Sequence, residues 1–242
     1  MTRSAYLRLD RPSANPVRLT RADFLGDLEQ TYRAMAALTS AEPDRWAAWK
    51  LGGTNAASRA AFQVERLYYG AIARDEILFF PHHAPGASLV ELKGEVEIAL
   101  RIAPDGYSHD AWAIALEMPA SPLVDLVDLG VVALVADRCA AGSLVLGPIR
   151  TGLLPQPDDP VSQDVDGVRM SDGAPSRLTA PPETLLHEFL ALAREHGAPV
   201  SPGDWVATGG MTACITYEPG QHVVVRFRDQ VEIDVTIKAD MR

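Results

Sequence analysis

The residues best equipped for chemistry in this chain are acids. The stretch Glu91-Leu92-Lys93-Gly94-Glu95-Val96-Glu97-Ile98-Ala99-Leu100 alternates with period two. On a strand this puts Glu91, Lys93, Glu95 and Glu97 on one face and Val96, Ile98 and Leu100 on the other. Carboxylates at i and i+2 spring from backbone roughly 7 Å apart at about 3.3 Å per residue, close enough to lean toward one ion. A solvated strand face with Lys93 as counter-charge fits the same alternation. A third acid bears on the choice, because the apolar run Ala111 to Leu116 ends in Glu117, directly before Met118-Pro119. Alone, Glu117 also reads as a strand-end acid facing solvent or capping a turn. If it reaches the same point as Glu95 and Glu97, charges about 4 Å apart repel by about 4 kcal/mol per pair at an effective dielectric near 20. Either carboxyls then hold protons, or a hard divalent ion sits among them. Mg²⁺ or Mn²⁺ suits an all-carboxylate set, and the metal is the favoured reading.

Lys50 is a charge set in an apolar segment, Trp46-Ala47-Ala48-Trp49-Lys50-Leu51, followed by the small residues Gly52-Gly53-Thr54. Partial desolvation is expected to lower its pKa and fit it as acid, base or oxyanion partner; a snorkelling surface lysine fits too. Thr208-Gly209-Gly210 can offer a hydroxyl and open backbone amides to a carboxylate, or form a plain tight turn. Leu51, Gly52, Thr208 and Gly209 are the expected substrate contacts. His82 and His83 point to opposite faces of any strand, and His109, His187, His196 and His222 are scattered without metal-ligand spacing. Cys139 reads as a small packing residue rather than an activated thiol. The chain has no GxSxG elbow, GxxxxGK[ST] loop, GxGxxG turn or HExxH helix.

These residues need elements to hold them. Phe24, Leu28, Tyr32 and Met35 recur at helical spacing between Thr20 and Leu38, so residues 1–45 are expected to form a small N-terminal helical cap. Residues 46–242 are expected to form a β-rich catalytic domain. Its strands are Trp46 to Leu51, Ile77 to Phe80, Ser88 to Ile102, Ala111 to Glu117, Ser143 to Leu146, Trp205 to Thr208 and Val223 to Ile237. Thr54 is a candidate N-cap for a helix through about Val64. Pro182 in a first turn, apolar Leu185, Leu186, Phe189 and Leu190, and terminal Gly197 predict a helix over 182–196. Leu154 to Pro182 reads as loop with one strand near Val165 to Met170.

The chain has 242 residues and 26.1 kDa, ample for one sizeable core. Its 22 Lys+Arg against 32 Asp+Glu give a net charge of −10, which argues against nucleic acid as a partner. The longest apolar run, Leu129 to Ala136, is far short of the roughly 20 residues a membrane helix needs, so no membrane partner is expected. Two cysteines give no disulfide framework, and the N-terminus lacks a signal-peptide core, so the expected location is cytoplasmic.

The ordered set Lys50-Leu51-Gly52-Gly53-Thr54, Gly94-Glu95-Val96-Glu97-Ile98-Ala99, Ala115-Leu116-Glu117 and Gly203-Asp204-Trp205-Val206-Ala207-Thr208-Gly209 resembles the fumarylacetoacetate hydrolase superfamily. Within it, the order and approximate spacing are similar to the 2-keto-4-pentenoate hydratase and 4-oxalocrotonate decarboxylase group, over about Trp49 to Ile237. The resemblance implies an α+β fold with a fumarylacetoacetase C-terminal-like mixed β-roll or barrel core and flanking helices. It implies Glu95, Glu97 and Glu117 as ligands of Mg²⁺ or Mn²⁺ and Lys50 as the active-site lysine. The activity implied is a metal-dependent lyase of aromatic catabolism. It would be a hydratase, with decarboxylation as the second activity implied, acting on a short 2-hydroxy-dienoate or 2-oxo-enoate through a metal-stabilised enolate. The alternatives are an acylpyruvate-type C–C bond hydrolase, with His82 or His83 as candidate base, and a catalytically silent oxo-acid-binding subunit. A small 2-oxo acid is the implied ligand, in a homo-oligomer with a partner enzyme of the same pathway as a further expectation. Three stretches depart from the group: Tyr68-Tyr69-Gly70 lacks an acid, Ser121-Pro122 replaces Ser-Arg, and the loop from Gly173 to Pro182 is divergent. Arg177 in that loop is a candidate for the lost cation.

Overall fold

The computed structural model describes residues 17–24, 26–81 and 92–237. The chain runs α1 (Leu28–Ala41), β1 (Trp46–Gly52), α2 (Ala56–Phe62), β2 (Tyr68–Ala73), β3 (Ile77–Phe79), β4 (Lys93–Ile102), β5 (His109–Met118), α3 (Leu126–Leu129) and α4 (Val131–Ala136). It continues through β6 (Ser143–Leu146), β7 (Val161–Val165), β8 (Val168–Gly173), α5 (Pro182–His196), β9 (Trp205–Ala207), β10 (Ile215–Thr216), β11 (His222–Phe227) and β12 (Gln230–Thr236). None of the helices among the described residues is long and apolar enough to cross a membrane.

Two sheets form the body. The larger has the order β2-β1-β9-β4-β5-β6-β3, with β10 added against β4; the smaller has the order β12-β11-β7-β8. β1 with β9 and β3 with β6 are parallel and the other pairs antiparallel, which makes the larger sheet mixed. Period two then sorts the side chains of its central strands. Val96, Ile98, Leu100, Ile114 and Leu116 belong to the main core together with Leu185, Leu186 and Phe189 of α5. The opposite face packs Ala48, Ala99, Ala111, Ala113, Ala115 and Ala207 with Leu144 and Leu146. Small side chains let the sheet close tightly there. Lys50, Glu95, Glu97 and Glu117 share the parity of these alanines and stand at one end of their face.

The structure shifts several expected elements. α1 starts after Asp27, whose side chain accepts a hydrogen bond from the Gln30 N–H, so the helix begins later than Thr20. The cap of α2 is Asn55 rather than Thr54, and the helix ends at Phe62 because Gln63 turns left-handed. Thr54 is instead fully buried. Leu154 to Pro182 is more ordered than a loop: β7 and β8 form a hairpin about Asp166-Gly167, both at positive φ. Val223 to Ile237 is likewise a hairpin, turning at Arg228-Asp229. β2, unassigned from sequence, is a fully buried strand beside β1. Glu91, His82 and His83 lie outside the described residues.

Candidate active site

The acids are gathered by ladder register. β4 and β5 pair antiparallel with Glu95 opposite Glu117 and Glu97 opposite Ala115, so the three carboxylates occupy adjacent positions on one face. One oxygen from each lies within 4.8 Å of the others. Glu97 and Glu117 are fully buried and Glu95 is partly buried. β1 brings Lys50 to the same place through its parallel pairing with β9, Lys50 opposite Ala207, while Ala207 pairs with Ala99 of β4. The Lys50 ammonium donates to Glu117 Oε1 at 2.8 Å. The Trp49 indole N–H beside it donates to Asp204 Oδ2 at 3.0 Å, tying the end of β1 to the turn before β9.

Two glycines make this approach possible. The Gly209 N–H donates to Glu97 Oε2 at 2.8 Å, at a φ of +109° that disfavours any side chain, and a Cβ there would stand 1.7 Å from Thr54 Oγ1. A Cβ on Gly210 would stand 2.0 Å from Glu95 Oε2. The Thr208 hydroxyl donates to the Ile98 carbonyl at 2.9 Å. Thr208 and Gly209 therefore hold β4 and Glu97 in place, and neither lines the cavity; the carboxylate that takes the Gly209 amide is the protein's own. Leu51 and Gly52 do line it.

Electrostatics show how much tension the arrangement holds. Burial, with the Glu117 charge added, raises the Glu95 carboxyl to about 7. Burial and the charges of Glu95 and Glu117 raise Glu97, against the opposing pull of Lys50 and the Gly209 amide. Burial raises Glu117 too, although Lys50 pulls it down. Lys50 moves opposite to the direction expected from sequence. Burial favours loss of its proton, but the carboxylate of Glu117, with Glu95 and Glu97 behind it, outweighs burial and holds the ammonium above the ordinary lysine value. Lys50 is thus a proton-bearing group in this arrangement. Glu97 Oε1 and Glu117 Oε2 remain buried with no hydrogen-bond partner among the described residues. Buried acceptor atoms of this kind are costly unless something fills their lone pairs. Three hard oxygen donors, two buried orphan atoms and elevated proton affinities fit a divalent cation.

A cavity of about 1230 Å³ opens onto the cluster, reached by Lys50, Lys93, Glu95, Gly210 and Arg177 among others. One wall is a segment that sequence reasoning did not mark. Arg138, Cys139 and Ala140 all have φ near +55°, a left-handed turn that costs L-residues about 1–2 kcal/mol each. Buried Arg138 secures it, donating to both oxygens of Glu76 at 2.8 and 2.9 Å and to the Ala71 carbonyl at 3.1 Å. Gly70 sits under the turn, where a Cβ would lie 2.1 Å from the Arg138 carbonyl oxygen. The signal available in sequence was the charged pair Asp137-Arg138 placed directly after the apolar run Leu129 to Ala136. Cys139 is buried, and desolvation raises its thiol, as suits a packing residue.

No protein-family model and no curated protein sequence matches the chain. Solved structures do match. The 4-oxalocrotonate decarboxylase of Pseudomonas putida G7, complexed with magnesium and adipate, superposes with a TM-score of 0.79 over 93% of this chain and 91% of that one, at 20% identity. The fold is that of the fumarylacetoacetate hydrolase superfamily. A fumarylpyruvate hydrolase from Pseudomonas aeruginosa, in complex with Mn²⁺ and pyruvate, matches at TM-score 0.59 and 14% identity over 80% of this chain and 90% of that one. A fumarylacetoacetate hydrolase from Exiguobacterium antarcticum matches at 0.57 and 17% over 80% and 75%. The mixed β-core with flanking helices implied by the motif order is the architecture observed, and this superfamily fold places the four charged residues together.

Proposed function

We propose that the chain is a divalent-metal-dependent lyase, a hydratase acting on a 2-hydroxy-dienoate or its 2-oxo-enoate tautomer. The observation that carries this reading is the pair of buried, unpartnered oxygens on Glu97 and Glu117, in a trio whose members offer one oxygen each within 4.8 Å. The structures similar to this one include a decarboxylase solved with magnesium and a hydrolase solved with Mn²⁺ and pyruvate, which supports a metal and an oxo acid here. Glu95, Glu97 and Glu117 would hold Mg²⁺ or Mn²⁺, which would supply positive charge next to a bound 2-oxo acid head and favour the enolate form of the substrate.

The chain's own residues do the rest. Gly209 fixes Glu97 through its amide, and Gly210 leaves room for Glu95. Lys50 carries a proton at the cavity wall and delivers it from its Nζ. In hydration the substrate's 2-hydroxyl proton leaves and C5 receives one, giving the 2-oxo-3-enoate; water then adds at C4 and C3 takes a proton. A positioned general acid contributes roughly 10² to 10⁴ in rate when its pKa lies near the working pH, and the charge of a bound divalent ion would lower that of Lys50 toward it. Buried Leu51 and the apolar walls limit water around that proton.

The test is turnover of 2-hydroxypenta-2,4-dienoate with Mg²⁺. Activity should disappear on chelation and in Glu97→Ala; activity that survives both contradicts the assignment. Loss of CO₂ from 4-oxalocrotonate, measured alongside, decides whether decarboxylation accompanies hydration, a question raised by the 0.79 match to a decarboxylase. Release of pyruvate from acetylpyruvate would instead mark a C–C bond hydrolase. Homo-oligomeric assembly belongs to the same reading, and light scattering checks it.

A further inference from the structure

The cavity is much larger than the head group just described requires, and its walls are not uniform. Pockets of roughly 300–1,000 Å³ enclose whole drug-sized ligands. At about 1230 Å³ this one far exceeds a five-carbon acid. Besides two aspartates, its charged residues are Lys50 and Glu95 of the cluster, Lys93 nearby on β4 and Arg177 on the loop after β8. The segment after β5 is different in kind: residues 119–128 line the cavity without interruption. It contributes Pro122, Leu123, Leu126 and Val127, joined by Phe62 of α2 and Leu134 of α4. The only charges this segment brings are Asp125, 3.8 Å from the Arg18 guanidinium, and Asp128, and neither offers a counter-charge to a second carboxylate.

The two ends are continuous. From Lys50 the wall passes through Leu51 to Gly52, where a Cβ would stand 2.1 Å from the Tyr68 ring. Tyr68 meets Phe62 edge-on at 5.7 Å, and Phe62 and Val127 share a smaller depression on the outer side. Val127 is 50% exposed, a large apolar side chain facing open space on a helix of one turn. Isolated exposed aliphatics are ordinary, but this one continues a set of apolar residues that begins at a polar, charge-bearing end. Sites of this composition orient a ligand by its few polar contacts and gain affinity from the apolar remainder.

We propose that the substrate is a 2-oxo or 2-hydroxy-enoic acid with an extended apolar substituent, alkyl or aryl, whose tail lies on Phe62, Pro122, Leu123, Leu126, Val127 and Leu134. This rests on the head-group reading above and adds the class of tail. It also assigns specificity to the segment after β5, which would discriminate against dicarboxylic substrates.

Calorimetric titration of the Mn²⁺-loaded protein with pyruvate, 2-oxohexanoate, 2-oxooctanoate and 2-oxohexanedioate tests it without turnover. Affinity should tighten about threefold to fourfold for each methylene buried. 2-Oxohexanedioate should bind at least tenfold more weakly than 2-oxohexanoate. In Val127→Asp the gain from pyruvate to 2-oxooctanoate should shrink at least tenfold. Leu153→Asp, at a 90% exposed position outside this cavity, should reproduce the wild-type series. If pyruvate binds and the series is flat, the tail inference is overturned while the head-group reading stands. A preference for 2-oxohexanedioate also overturns it, and points to Arg177 as holder of a distal carboxylate. If no 2-oxo acid binds the loaded protein, the head-group reading fails and the inference falls with it.

Discussion

At the scale of single residues the site is a problem in proton affinity. Glu95 holds its proton to about 7 because burial and the Glu117 charge both disfavour its anion. A carboxyl raised in the fold favours the folded state below its ordinary value of 4.5, and that contribution is lost as pH rises through 7. A divalent cation reverses the preference, because it binds the anion and displaces the proton. The rise in Tm on adding Mg²⁺ or Mn²⁺ should therefore grow as pH rises from 5 to about 7, as followed by scanning calorimetry; a shift independent of pH would contradict a carboxylate site. Lys50 offers a separate check, since its proton is held by Glu117 at 2.8 Å. Lys50→Met should lower kcat by roughly 10² to 10⁴ while metal affinity is kept or improved, because a competing cation is gone. Loss of metal binding in that variant would make Lys50 a structural strut.

At the scale of elements, the site depends on backbone pieces that hold unfavourable conformations. The left-handed turn Arg138 to Ala140 survives because the Arg138 guanidinium is bidentate on Glu76 beneath it. Breaking a buried pair by removing one partner costs about 3–5 kcal/mol. Arg138→Met should fall in that range by denaturant unfolding, and replacing Glu76 as well should recover part of the loss; a change under about 1 kcal/mol would show the turn holds itself. Legibility in the sequence followed the same division. The alternation from Lys93 to Leu100 and the acid at Glu117 were readable because a strand's period fixes a face before any partner is known. The raised pKa of Lys50 was not, since its cause stands 67 residues away in another strand. Arg138 and Glu76 escaped for the same reason, 62 residues apart. The β7–β8 hairpin carried a local signal, Asp166-Gly167, hidden among prolines and acids that favour loop. The bond from the Thr208 hydroxyl to the Ile98 carbonyl was not legible either, since its acceptor stands 110 residues away.

At the scale of the whole molecule, the larger sheet packs one face of alanines and covers the other with α5, so Glu97 and Glu117 are fully buried while Glu95 faces the cavity. The smaller sheet is fastened to it by Arg150, which exchanges backbone hydrogen bonds with Trp112 of β5 at 2.8 Å and is bidentate on buried Glu232 of β12 at 2.8 and 2.7 Å. A net charge of −10 favours the approach of cations to the cavity mouth. The fold thus presses three carboxylates together at the end of a face of small apolar residues. The account stands on what resolves that repulsion. Calorimetric titration of Mn²⁺ into metal-stripped protein should show one site per chain, and the same titration of Glu97→Gln should show affinity weakened at least a hundredfold. In the absence of metal that variant should melt no lower than the wild type, since a carboxyl crowded by Glu95 and Glu117 has been replaced by a neutral amide of the same shape. Equal affinity in the two proteins, or no binding to the wild type, would contradict the account.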